Sequence, residues 1–314
     1  MELSSNPHRL GALAAIGNTP MVELNKIVAS SGARVLLKLE SANPTGSMKD
    51  RMAVEVIQSA VRDGRLKPGG TVVEYTAGTT GVSLAFICAA LGYQLHVVFS
   101  DAFSQEKRRT MGAFGAQITD EPSDHGRISA ELIKRMIAHA DVISQQPGHW
   151  YADQLNNHDA IRGYLPLGHE IWNQSGGRVS AFVMTVGTAH AIHGVTQALH
   201  EHDSNIKVIA VEPAESAVLS GHPTGSHRIE GIGIGFIPPL WDAKLVDEIQ
   251  VVSSSDAQDM ARRLAREEGI FAGTSTGANV IAALQVAEQL PSDATVVTLA
   301  VDSGLRYLST ELFK

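Results

Sequence analysis

The chain has 314 residues, with 25 Lys+Arg against 33 Asp+Glu, a formal net charge of −8 that argues against a nucleic-acid or anionic-membrane partner. Hydrophobic residues at 44%, charged residues at 18%, 29 Gly and 12 Pro describe a folded globular chain, not a disordered one. At this length one large domain or two modest ones are expected.

The opening MELSSNPHRL lacks a basic segment followed by an apolar core, so a cytoplasmic location is the expectation. The β-branched run Val35 to Glu40 reads as a strand. After it, SANPTGSMKDR (Ser41 to Arg51) leads into a helical period from Met48 to Asp63. Ser47 and Asp50 have capping-box spacing, which puts Lys49 in the first helical turn. The helix dipole disfavours a cation there and lowers a lysine pKa, so a reactive amine is one reading and a solvated lysine beside Asp50 and Arg51 is the other. Thr71 to Tyr75 is a second strand, ending in TAGTTG (Thr76 to Gly81). The apolar stretch Gly81 to Tyr93 is shorter than the roughly 20 residues of a bilayer span. It holds Cys88, the single cysteine, so an intrachain disulfide or a CxxC metal site is excluded.

Leu95 to Phe99 is a further strand, and Ser123 to Gly126 and Gln145 to Asn157 are polar breaks that can mark domain edges. Val179 to Val186 ends in GTAHA (Gly187 to Ala191). His190 and His193 can share a helical face, but no third metal ligand stands at a recognisable spacing. Ile206 to Glu212 is followed by the glycine-dense GIGIGFIPP (Gly231 to Pro239), which precedes no helix and so is not a dinucleotide fingerprint. A helical period from Ala257 to Glu268 precedes GTSTG (Gly273 to Gly277), and Thr295 to Val301 is the last strand. GTSTG also matches the hydrolase elbow GxSxG with Ser275 as nucleophile. No histidine follows His227, so that triad order cannot be built.

The alternation predicts an α/β fold with mostly parallel sheet. TAGTTG, GTAHA and GTSTG share one predicted layout, an apolar run ending in a polar turn from which a helix starts. Such turns collect anions at the carboxyl ends of parallel strands; Gly and Thr are also ordinary turn and cap residues, and each junction alone fits either reading.

Taken together in this order, Lys49, the three turns and GIGIGFIPP resemble the cysteine synthase (O-acetylserine sulfhydrylase) family, among the cystathionine β-synthase-like pyridoxal-phosphate enzymes of fold type II. The likeness runs from IGNTPMVEL (Ile16 to Leu24) through NPTGSMKDR, LKPGGTVVE (Leu66 to Glu74), EGIGIGFIP and ARRLAREEGIFAG (Ala261 to Gly273) to DSGLRYLST (Asp302 to Thr310). It implies a two-domain fold like the tryptophan synthase β-subunit, with mostly parallel sheets flanked by helices. It further implies a smaller mobile α/β domain over 41–155, a larger one formed by 1–40 plus 156–314, and pyridoxal 5'-phosphate between them. Carboxylate contacts would then close the smaller domain over substrate.

By the same resemblance Lys49 joins covalently to the cofactor and acts as general base. Thr76, Ala77, Gly78, Thr79 and Thr80 form the substrate-carboxylate loop, with Thr79 also facing the cofactor. Gln154 lines the substrate pocket and Gly233 borders it. Gly187, Thr188, Ala189, His190 and Ala191 cradle the phosphate, and Ser275 meets the pyridine nitrogen. The implied reaction is β-replacement on an activated serine such as O-acetylserine, through an α-aminoacrylate intermediate, with sulfide giving cysteine. Alternatives are β-elimination of the cysteine desulfhydrase type, another nucleophile, or a catalytically weak binding protein. The implied partners are a second copy in a homodimer and the C-terminal tail of a serine acetyltransferase.

Two departures stand out. TAGTTG replaces the family's TSGNTG, so Ala77 lacks a hydroxyl and Thr79 replaces an asparagine. One such bond is worth roughly 1 kcal/mol if neutral and up to about 3 if charged. GTAHA replaces GTGGT, so Ala191 lacks a phosphate-contacting hydroxyl and His190 stands where glycine allows close backbone approach.

Overall fold

The computed structural model describes residues 11–29, 32–126 and 128–314; the opening MELSSNPHRL lies outside them. In chain order the regular elements are β1 (Met21–Glu23), β2 (Arg34–Lys38), α1 (Lys49–Arg62), β3 (Thr71–Tyr75), α2 (Thr79–Leu91), β4 (Gln94–Ser100), α3 (Gln105–Ala113), β5 (Gln117–Glu121), α4 (Ala130–Ser144), β6 (His149–Tyr151) and α5 (Asp159–Arg162). There follow α6 (Leu165–Gln174), β7 (Ala181–Thr185), α7 (His190–His200), β8 (Lys207–Pro213), β9 (Glu248–Val252), α8 (Ser254–Arg263), α9 (Thr274–Gln289) and β10 (Thr295–Leu299). The chain divides into two compact units, one holding Asn43–Gly163 and the other Gly17–Ala42 with Tyr164–Lys314.

The first unit is built on a parallel sheet of order β5-β4-β3-β6. Its inner strands are buried on both faces, which is why TVVEY and QLHVVFS read as near-continuous apolar runs. α1 buries the stripe Met52, Ala53, Val56, Ile57 and Ala60, while α2 is buried from Thr80 to Cys88 and is apolar all round. Gly92, in the left-handed region at φ 76°, ends α2. Cys88 sits deep in that helix at 2% exposure, and burial pushes its thiol up to about 12. Both polar breaks lie inside this unit, and the second contains β6.

The second unit carries a sheet of order β1-β2-β10-β7-β8-β9, antiparallel only between β1 and β2. Its core joins Leu37, Val183, Ile209, Val211 and Val296 to the small-residue face of α9, Ala278, Ala282 and Ala283. Asn279 on α9 is fully buried, accepting from Thr185 N at 2.7 Å and donating to Leu299 O at 2.9 Å. One amide thereby satisfies the ends of two neighbouring strands and fixes where α9 begins. Among the described residues, no helix is long and apolar enough to cross a membrane.

α6 and α7 meet at Gly168, where an added Cβ would lie 2.6 Å from Ala198 Cβ and 2.8 Å from Val195 O. Gly168→Ala is therefore expected to cost about 1–3 kcal/mol in urea unfolding. An unchanged midpoint would show that the two helices separate freely.

Candidate active site

In the first unit, the turn after Asn43 passes through Gly46, at φ 78°, and delivers Lys49 as the first residue of α1, half-buried. The expected capping box is displaced. Met48 occupies the N-cap with helical dihedrals (φ −59°, ψ −18°), whereas a box needs an extended residue there. Ser47 Oγ accepts from Lys49 N at 3.2 Å, and the Asp50 carboxylate reaches back to Thr45, taking its N–H at 2.8 Å and its hydroxyl at 2.6 Å. The acid thus fastens the loop ahead of the lysine.

TAGTTG spans the end of β3 and the start of α2. Thr76 is fully buried, and its Oγ1 accepts from Gly78 N at 2.8 Å and Gly81 N at 3.0 Å, folding the turn onto itself. Gly78, at φ 116°, faces the stem of Lys107, and an added Cβ would lie 2.5 Å from Lys107 Cδ. Thr79 and Thr80 open α2, so their N–H groups have no partner within the helix. Ala77 and Thr79 are half-buried.

Gln154 is held at three points. Its Oε1 accepts from Thr80 Oγ1 at 2.8 Å, its Nε2 donates to Tyr75 O at 2.8 Å, and its backbone N donates to Glu74 Oε2 at 2.9 Å. Glu74 is fully buried in β3, and its second oxygen accepts from Tyr75 N at 3.1 Å. Burial pushes this carboxyl well above the ordinary range; the Gln154 N–H opposes the shift and the nearby Asp153 adds to it. Sequence reasoning did not single out Glu74. The available signal was a charged residue inside an apolar strand, which must find hydrogen-bond partners.

In the second unit, β7 leads through Val186 into GTAHA. Gly187 approaches the glycine loop so closely that an added Cβ would lie 2.4 Å from Gly231 O, and Gly233 N donates to Val186 O at 3.2 Å. Gly233, at φ 58°, is pinned from the other side. His227 Nδ1 accepts from Ile229 N at 3.3 Å, which leaves the proton on Nε2 to donate to Gly233 O at 2.8 Å. Ala189 is the N-cap of α7 and adopts the left-handed region at φ 67°, a conformation unfavourable for any residue with a Cβ. His190 opens the helix at 1% exposure with Nδ1 3.1 Å from Thr188 Oγ1, and Ala191 is buried behind it.

GTSTG differs from the expected layout. No strand runs into it; a π-helical turn (Leu264–Glu268) and an isolated bridge between Ala272 and Ser303 precede α9, because Ile270 to Ala272 is too short a run to join the sheet. Thr276 Oγ1 accepts from Val301 N at 3.0 Å and Asn279 ties the next turn to the strand ends. An added Cβ on Gly277 would lie 2.0 Å from Ala257 O, so α8 and α9 touch there backbone to backbone. Ser275 is consequently fixed at 2% exposure, with no hydrogen bond from its Oγ among the described residues.

Residues 12–302 match the family model for pyridoxal-phosphate dependent enzymes. The chain is 40% identical over 300 residues to a cysteine synthase of Staphylococcus aureus, covering 95% of each protein. Among solved structures it resembles a cysteine synthase from Entamoeba histolytica, with TM-score 0.91, 36% identity and coverage of 100% of this chain and 94% of that one. It also resembles an O-ureido-L-serine synthase, with TM-score 0.90, 36% identity and coverage of 96% and 94%.

Two outcomes follow from this geometry. The folded chain holds the Glu74 proton more tightly than the unfolded chain does, so the stability this group supplies is complete below the ordinary glutamate range and is lost progressively as pH rises above that range and through the raised value of the folded state. Glu74→Gln cannot ionise and should gain on the parent as pH rises above the ordinary glutamate range in urea titrations, whereas a pH-independent gap would contradict a buried acid. Ala189→Gly relieves a left-handed alanine at some cost in unfolded-chain entropy, and should stabilise the protein by about 0.5–1 kcal/mol. Destabilisation would place the strain elsewhere.

Proposed function

The chain belongs to the family of pyridoxal-phosphate dependent enzymes, and from that premise we propose that it catalyses β-replacement on an activated serine, O-acetylserine with sulfide giving cysteine and acetate. The observation that carries this reading is the match to cysteine synthases along nearly the whole chain.

The residues present suit the cofactor. The phosphate-binding stretch offers uncharged donors at a helix start, shaped by a glycine that tolerates no side chain, as befits a dianion held by backbone N–H groups. Ser275 offers a buried hydroxyl that no protein group engages among the described residues. When bound, pyridoxal phosphate supplies an electron sink for the bond broken at the substrate Cα.

Lys49 Nζ would hold the cofactor and would serve as the base for the substrate Cα proton. The N–H groups of Thr79 and Thr80 hold the substrate carboxylate; Thr76 shapes the turn that presents them, and Gln154 fixes Thr80. Ser275 would offer the ring nitrogen a neutral hydroxyl, which would not hold that nitrogen protonated and so would favour departure of a β-substituent over transamination. The enzyme is cytoplasmic and homodimeric in this reading, with a serine acetyltransferase tail as its peptide partner.

Ala77 and Thr79 favour a second reading, in which the same elimination is followed by a nucleophile other than sulfide. Both changes fall in the loop read as positioning substrate: Ala77 lacks a hydroxyl, and Thr79 carries a shorter hydroxyl in place of an amide.

Purified holoenzyme given O-acetylserine should accumulate cysteine only when sulfide is added, and Lys49→Ala should lower turnover by about 10³-fold or more. Faster sulfide release from cysteine alone would favour the lyase reading. Absence of turnover with every β-substituted alanine, combined with tight peptide binding, would make the chain a binding protein.

A further inference from the structure

Thr188 carries the only hydroxyl in the stretch Gly187 to Ala191, and its Oγ1 stands 3.1 Å from His190 Nδ1. The imidazole is 1% exposed at the first position of α7, directly after the left-handed Ala189, so the side chain at 190 lies back against that at 188. A hydroxyl beside an imidazole nitrogen has two arrangements. It can donate to a bare nitrogen and turn its lone pairs outward, which repels an anion. Alternatively it accepts from Nδ1–H and turns its own proton outward, which suits one.

We propose that His190 is a positioning residue for the cofactor phosphate: its Nδ1–H donates to Thr188 Oγ1, so that the Thr188 hydroxyl donates to a phosphate oxygen. This pair supplies the hydroxyl contact that Ala191 cannot make. The inference rests on the reading of residues 187–191 as the phosphate cradle. It adds that the grip depends on the tautomer of a buried histidine.

The apo-protein, titrated with pyridoxal phosphate and separately with pyridoxal, tests this by absorbance, with ³¹P NMR of the bound phosphate as a second readout. His190→Leu is expected to weaken pyridoxal phosphate binding about tenfold or more, the scale of a hydrogen bond to a charged group, and to leave pyridoxal binding unchanged. His190→Asn, which keeps an N–H donor, should retain most of the affinity, and Ala191→Thr added to His190→Leu should restore it. Thr188→Val should match His190→Leu, and the two combined should cost no more than either alone. Equal losses for both vitamers would make His190 a packing residue and overturn the proposal, as would an unchanged phosphate affinity or additive losses in the double variant. A parent protein that takes up neither vitamer would overturn the cofactor reading as well, so the two failures are distinguishable.

Discussion

The first turn of an α-helix has N–H groups with no partner inside the helix, and each candidate loop of this protein is organised around that shortage. α1 begins at Lys49, α2 within TAGTTG, α7 within GTAHA and α9 within GTSTG. In each case neighbouring groups fix the start without consuming every donor. Thr76 folds one turn from within, Gly231 and Gly233 brace another, and Thr276 with Asn279 ties a third to the strand ends. Positive electrostatic potential is thereby delivered by backbone dipoles instead of basic side chains, consistent with an acidic chain that handles anionic small molecules.

Much of the central architecture was legible in the sequence because strands buried on both faces must be apolar throughout. Thr71 to Tyr75 is a strand over its whole expected length, and the expected runs around β2, β4, β7, β8 and β10 shift by only one or two residues at their ends. β5, β6 and β9 were not legible. They lie at sheet edges, where one flank is unpaired and sequences such as QITDE and HWY show no apolar continuity. β1 is another edge strand, only three residues long.

The three glycine- and threonine-rich turns are legible by their composition, while the groups that hold them are not. Glu74 and Asn279 are polar residues within apolar patterns, and only the structure reveals that each satisfies backbone groups from more than one segment. Nothing in the letter Ala forecasts a left-handed residue at 189, and spacing alone could not tell whether His190 turned inward. GTSTG follows no strand, although its pattern predicts one, because the same glycine-rich pattern also serves where two helices pass in backbone contact. The departures from the family pattern are thus local changes at helix starts.

Cys88 has a consequence for a protein assigned to the making of thiols. Cysteine that has oxidised to the disulfide cystine is open to attack by any protein thiolate in reach, which forms a mixed disulfide and releases one cysteine. The single sulfhydryl of this chain is buried within α2 and held protonated far above neutral pH. A catalyst with no reactive sulfur of its own avoids mixed disulfides with its product, so its inventory of active sites is insulated from the redox swings that accumulating low-molecular-weight thiols bring.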